Sequence, residues 1–187
     1  MLRSGLFFLA RLLRDPAHIG AVWPSSQRLA KAMAAQVANT GGAIVELGGG
    51  TGAVTEALLA ARVEPRRLIV IERDAHLAAH LAARFAGVRV VHGDARDVRA
   101  MLERAGVERV GAFVSSLPLL SLPRDESAAI VTACCQLMGD QGRFIQFTYG
   151  PQSPIPRHND FGLQAQATAW VLWNMPPATV WRYTRAT

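Results

Sequence analysis

Glu46-Leu47-Gly48-Gly49-Gly50-Thr51-Gly52 places one carboxylate directly before a cluster of glycines. Such glycines permit a tight turn and close approach of backbone to a ligand. Gly48, Gly50 and Ala53 also satisfy the GxGxxG/A dinucleotide spacing, so the glycines alone leave the ligand open. Glu46 discriminates: a carboxylate here suits a ligand bearing an ammonium group and would repel a pyrophosphate. Glu72 follows Gly52 by about 20 residues, the offset expected of an acid that accepts both hydroxyls of a ribose. In His92-Gly93-Asp94-Ala95, Asp94 can accept from an exocyclic amine of adenine, or it can cap the next helix. Asp74 reads as a helix cap. Val114-Ser115-Ser116-Leu117-Pro118-Leu119 is the segment expected to face an acceptor. Pro118 restricts Leu117, and carbonyls with the Ser115 and Ser116 hydroxyls can hold an amine. An ordinary proline-containing strand exit is the competing reading.

Positioning these residues requires a particular alternation. Strands are predicted at 43–47, 67–72, 88–92, 110–115 and 142–148, and helices at 53–62, 75–85, 95–105 and 125–138. Short β-branched runs alternating with Ala/Leu/Arg-rich stretches mean βαβ units, and hence a doubly wound parallel α/β sheet. Ligands then sit at the carboxyl ends of the strands. Residues 163–173 and 179–184 are strand-like around Asn174-Met175-Pro176-Pro177 and predict a closing hairpin. Gly150–Asp160, with three prolines, reads as a lid or substrate loop. Residues 1–40 precede the sheet as a helical segment, and 41–187 form the catalytic-type domain. A helix over about 26–38 is expected, with Ser25 or Ser26 as its N-cap.

The 187 residues carry a formal net charge of +6, and Lys31 is the single lysine among 20 basic residues. Such a surface favours polyanions, either nucleic acid or an anionic membrane. Half the chain is hydrophobic, which excludes a disordered chain. Adjacent Cys134 and Cys135 have neither CxxC nor zinc spacing and read as thiols on a buried helix. No metal constellation and no Ser-His-Asp order is visible. The apolar run 6–10 is far short of the ~20 residues that cross a bilayer, so a cytoplasmic protein is expected.

Together these segments resemble class I S-adenosylmethionine-dependent methyltransferases. More closely, the chain resembles the small bacterial phosphatidylethanolamine N-methyltransferases, themselves similar to ribosomal RNA adenine dimethylases. The likeness covers Asp15–Ser26, Glu46–Gly52, Gly93–Ala95, Ser115–Leu119, Phe147–Pro151 and Asn174–Trp181. It implies a seven-stranded Rossmann-like sheet that binds S-adenosylmethionine and releases S-adenosylhomocysteine. Cofactor contacts implied are Ser25, Ser26, Glu46, Gly48, Gly50, Gly52, Glu72, Arg73, Asp94, Ala95 and Ser115. The acceptor side would comprise Ser115, Ser116, Leu117 and Tyr149. The implied reaction is successive methylation of phosphatidylethanolamine to phosphatidylcholine. The RNA enzymes carry an aromatic residue where this chain has Leu119, and that aromatic stacks on adenine, so nucleic acid is disfavoured. An RNA or small-molecule amine N-methyltransferase and a non-catalytic membrane-binding module are the alternatives.

On that reading the N-terminus acquires a role. Over 2–14, Leu2, Leu6, Leu9 and Leu13 share one helical face, widened by Phe7 and Phe8, while Arg3, Arg11 and Arg14 lie opposite. This suits a helix in the headgroup plane of an anionic membrane. The expected location is peripheral, at the inner face of the cell membrane. His18, Lys31 and Arg157 are candidate cations for the lipid phosphate.

Overall fold

The computed structural model describes residues 24–155, 157–172, 174 and 176–186. The expected amphipathic helix over 2–14, with His18, lies outside them. The described elements are α1 (Pro24–Ala34), β1 (Ala43–Leu47), α2 (Ala53–Ala60), β2 (Leu68–Glu72), α3 (Ala75–Arg84) and β3 (Arg89–His92), then α4 (Val98–Arg104), β4 (Val110–Ser115), α5 (Arg124–Leu137), β5 (Met138–Thr148), β6 (Leu163–Val171) and β7 (Ala178–Arg185).

One seven-stranded sheet runs in the order β3-β2-β1-β4-β5-β7-β6. β1 pairs in parallel with both β2 and β4, and β4 with β5. β7 inserts antiparallel between β5 and β6, which is the hairpin expected from the tail. Chain order reverses at β1 and β4, so the crevice outside their carboxyl ends is the natural ligand position.

Successive residues of a strand face opposite sides, and both sides here are covered. Ile44, Val70, Val114 and Ile145 pack with Leu29 and Met33 of α1, Leu58 of α2 and Leu81 of α3. Val45, Ile71, Phe113 and Phe144 pack with Val98 and Leu102 of α4 and with Ile130 and Val131 of α5. Each such side chain stabilises the fold by ~1.5–3 kcal/mol on burial, which is why these strands read as unbroken apolar runs.

Several boundaries differ from expectation, each for a local reason. α1 begins at Pro24, so Ser25 and Ser26 lie in its first turn rather than at the N-cap. Proline suits that first position because its missing N–H would have no helical partner. α2 stops early, and Arg62 takes a left-handed φ of 65°. The expected helix over 95–105 divides into a 3-10 turn, Ala95–Asp97, and α4. β5 begins at Met138, four residues early, because Met138 pairs with Val110 before the register slips to Ala112–Arg143. Cys134 is buried and Cys135 half-buried, both free thiols on α5. The 150–160 loop is pinned rather than loose. Ser153 Oγ and Tyr183 Oη are 2.8 Å apart, and Ile155 is buried.

Candidate functional site

The glycine turn joins β1 to α2 beneath the tip of β2. Gly52 has φ 88°, and a Cβ there would meet the Phe85 ring at 2.6 Å, so a side chain is excluded on both grounds. Gly50 is different: nothing among the described residues lies within 4 Å of where its Cβ would be. That open side is where a ligand can approach the backbone.

Glu72 ties the turn in place. Its Oε2 accepts from Gly50 N–H and its Oε1 from Asp74 N–H, each at 2.8 Å. The side chain is buried at the end of β2. Each carboxylate oxygen keeps a second lone pair, so Glu72 can still accept ribose hydroxyls while it braces the turn. Asp74 caps α3 as expected, accepting from His76 and Leu77 N–H, and these bonds hold its carboxyl below the usual range.

Glu46 departs from the strand-tip acid expected of it. It sits one residue back, fully buried, on the face covered by α1 and α2. Thr55 Oγ1 donates to its Oε2 at 2.7 Å, while Oε1 has no partner among the described residues. Burial pushes its pKa up to about 8, against the pull of the Thr55 hydrogen bond. An unpartnered buried acceptor costs about 1–3 kcal/mol, and a donor reaching Oε1 would recover much of that. An ammonium group would also favour the ionised form.

Asp94 is committed elsewhere. Its Oδ1 accepts from Arg96 N–H at 2.9 Å, and the Arg96 guanidinium engages both oxygens. That ion pair holds its carboxyl below the usual range. The capping reading therefore describes Asp94, and an adenine amine would have to share its remaining lone pairs. Ala95 is buried behind it and Arg73 is exposed at the tip of β2.

The acceptor side also differs in detail. Ser115 is fully buried, and its Oγ accepts from Leu117 N–H at 3.3 Å, so the hydroxyl shapes the turn instead of facing the crevice. Ser116 N–H donates to Leu47 O, which brings the tips of β1 and β4 together. The Leu117 side chain lies against the glycine turn, 3.2 Å from where a Gly48 Cβ would be. Its carbonyl, expected to be free for an amine, accepts from Gln146 Nε2 at 2.9 Å. Tyr149 lies on the opposite face, its ring edge-on to Phe147 with centroids 5.4 Å apart. Burial raises its phenol above the ordinary value, partly opposed by a hydrogen bond with Asn174, so it stays neutral near pH 7.

Three residues, Thr55, Gln146 and Arg124, were marked by no sequence motif. Thr55 and Gln146 act through Glu46 and Leu117 as above. Gln146 stands opposite Trp181 across β5 and β7, and Gln146 Oε1 and Trp181 Nε1 are both buried without a partner among the described residues. Arg124, at the start of α5, shares a groove with Arg157. Alternation within β5 was the available signal for Gln146, a polar residue between Ile145 and Phe147. Lys31 is exposed on α1, across the sheet from Arg157, so the two do not serve one anion.

The TrkA-N domain family model matches residues 44–149, the parallel strands and their crossovers. The match stops before β6 and β7. Over 155 residues the chain is 33% identical to the ornithine lipid N-methyltransferase of Singulisphaera acidiphila, covering 80% of each protein. This chain belongs to that methyltransferase family and carries a TrkA-N domain over 44–149. The whole sheet, including the antiparallel end, has the class I methyltransferase fold. The N-methyltransferase NodS of Bradyrhizobium japonicum, in complex with S-adenosylhomocysteine, aligns with TM-score 0.69 at 13% identity, over 92% of this chain and 93% of NodS. A TehB-like S-adenosylmethionine-dependent methyltransferase of Corynebacterium glutamicum aligns with TM-score 0.64 at 16% identity, over 98% and 99%.

S-Adenosylmethionine fits the residues of this methyltransferase. Glu46 Oε1 is an unpartnered acceptor for an ammonium, Gly50 leaves open space at the turn, and Glu72 retains acceptor capacity for a ribose. Among the described residues no group of His, Cys, Asp and Glu is arranged to hold a metal ion, and no helix is long and apolar enough to cross a membrane.

Proposed function

We propose that this methyltransferase transfers methyl groups from S-adenosylmethionine to the amine of phosphatidylethanolamine and its mono- and dimethyl derivatives, making phosphatidylcholine at the membrane surface. One observation carries the acceptor class. Beyond β4 the chain presents Leu117, packed on the glycine turn, and buried Leu119, so the wall is aliphatic where a base-methylating enzyme needs a stacking aromatic. The lipid acceptor of the Singulisphaera relative supports the same class. That relative also favours a second acceptor, ornithine lipid, which shares an amine on an acylated scaffold.

Bound S-adenosylmethionine supplies an electrophilic methyl on a sulfonium. The acceptor ammonium would first give up a proton to water; the neutral nitrogen's lone pair would then take the methyl as the carbon–sulfur bond breaks and S-adenosylhomocysteine leaves, so each transfer, including the last to a quaternary nitrogen, releases one proton. With a lysine-like pKa of ~10.4, deprotonation near pH 7 costs ~5 kcal/mol. Nearby positive charge and desolvation lower that cost. The chain's own contribution is alignment, in which well-held reactants gain ~7–11 kcal/mol over a free encounter. Leu117, with its carbonyl fixed by Gln146 and its side chain against Gly48, sets the distance between acceptor and cofactor sites.

The test offers labelled S-adenosylmethionine with phosphatidylethanolamine vesicles, ornithine lipid vesicles or ribosomal RNA, and separates the products by thin-layer chromatography. Labelled phosphatidylcholine is the expected result. Label in ornithine lipid alone moves the acceptor to the second reading, and label in RNA alone overturns both. Absence of heat with S-adenosylhomocysteine in calorimetry would leave only a membrane-binding module.

A further inference from the structure

A groove of about 600 Å³ opens on the α5 face, separate from the glycine turn. Leu119, Leu120 and Leu122 form one wall, continuing the segment that begins at Leu117. Val131 of α5 forms the floor. Ile155 and Phe161, from the pinned loop after β5, form the other wall. Its size lies within the ~300–1,000 Å³ of small-molecule sites. Leu120, at its edge, is 45% exposed.

Two guanidiniums stand on this lining, Arg124 and Arg157, both exposed. Arg157 has Asp160 at 4.0 Å, a loose exposed pair, and Arg124 forms no ion pair among the described residues. The groove therefore combines aliphatic walls with an excess of positive charge. That combination matches an amphiphile with an anionic group at the junction of its apolar and polar parts. A nucleotide would not profit from the leucines, and a free fatty acid would carry no amine toward Leu117.

Resting on the acceptor class proposed above, we infer that this groove is the acyl-chain site of the acceptor phospholipid: one chain lies along Leu119, Leu122, Val131 and Ile155, with the phosphate held by Arg124 and Arg157. The arrangement explains how a lipid amine can be brought to the tip of β4. Leu119 N–H donates to Leu117 O at 2.9 Å, so the wall of the groove and the acceptor side of the crevice are one continuous turn. Gln146 anchors that turn to β5 through the same carbonyl.

The experiment measures binding by calorimetry, with S-adenosylhomocysteine present, of a short-chain phosphatidylethanolamine below its micelle concentration and of chainless glycerophosphoethanolamine. Wild type is compared with Ala128→Trp, which fills the groove from α5, and with exposed Arg124→Glu, which reverses charge and spares the core. Wild type is expected to bind the acylated ligand about tenfold or more tightly than the chainless one. Both variants are expected to lose about tenfold of that affinity, with S-adenosylhomocysteine affinity unchanged. Equal binding of the two ligands, or variants that bind like wild type, overturns the groove. Methyl transfer is read separately. If wild type binds the lipid in a groove-dependent way yet methylates no aminolipid, the groove stands and the acceptor reading falls. If lipids are methylated equally by all three proteins, the acceptor reading stands and the groove falls.

Discussion

The Thr55 hydroxyl donates to Glu46 Oε2 at 2.7 Å, joining the first turn of α2 to the buried acid beneath the glycine turn. This bond orients the carboxyl so that its other oxygen is left without a partner among the described residues. Thr55→Val should leave two unsatisfied acceptors, lower stability by about 1–3 kcal/mol and weaken S-adenosylhomocysteine binding. Thr55→Ser should restore both. Thermal melts and calorimetry on the pair decide it; a valine variant that binds like wild type removes Thr55 from the site.

The same acid makes stability depend on pH with a definite sign. Its folded value, about 8, lies above its ordinary 4.5. Between these values the unfolded chain gives up a proton that the folded chain keeps. Stability from Glu46 is thus fully present below the unfolded value and is lost as pH rises through the folded one. Relative to Glu46→Gln, wild type should lose on the order of a few kcal/mol between about pH 5 and about pH 8. Affinity for S-adenosylhomocysteine should rise over the same interval, because the ionised carboxylate favours an ammonium. Parallel pH profiles for wild type and Glu46→Gln would contradict this.

Glu72→Ala leaves the Gly50 and Asp74 N–H groups without their acceptor and removes the oxygens proposed to accept a ribose. We expect weaker S-adenosylhomocysteine binding for every acceptor, together with a stability loss of about 1–3 kcal/mol. Unchanged affinity in calorimetry would take Glu72 out of the cofactor site and leave it a brace of the turn.

Gln146 holds the Leu117 carbonyl, so Gln146→Leu should let the acceptor turn move. kcat on phosphatidylethanolamine is expected to fall by about tenfold while cofactor affinity persists, since a small misplacement of reacting groups is costly. A variant with unaltered kcat would show that the turn needs no such anchor.

Deletion of residues 1–14 removes three arginines, each worth ~1 kcal/mol near an anionic surface, and five leucines. Turnover on anionic vesicles should drop far more than affinity for S-adenosylhomocysteine. Vesicle sedimentation is the check, and equal binding without the segment would refute the membrane role.

Much of this architecture was legible before any coordinates. Strands 43–47 and 110–115 lie where their β-branched runs put them, and the hairpin of β6 and β7 follows from two apolar runs around Asn174–Pro177. The misjudged ends have local causes that periodicity does not carry, such as the slip of β5 between Val110 and Ala112. The hydrogen-bond partners of individual residues were not legible. Asp94 and Glu72 follow strand ends as their motifs require, and Arg96 and the Gly50 and Asp74 amides share their oxygens.

Linear order alone settled the alternation of strands and crossovers, the glycine turn after β1 and the placement of an acid near each of three strand ends, because hydrophobic period and turn chemistry are local properties. Folding in three dimensions decided which atoms remain available. It buried Glu46 and Ser115, paired Gln146 with the carbonyl of Leu117, and brought Arg124 and Arg157 to one groove from segments more than thirty residues apart. Hydrogen-bond partners and desolvation depend on neighbours across the sheet, and no spacing along the chain encodes them.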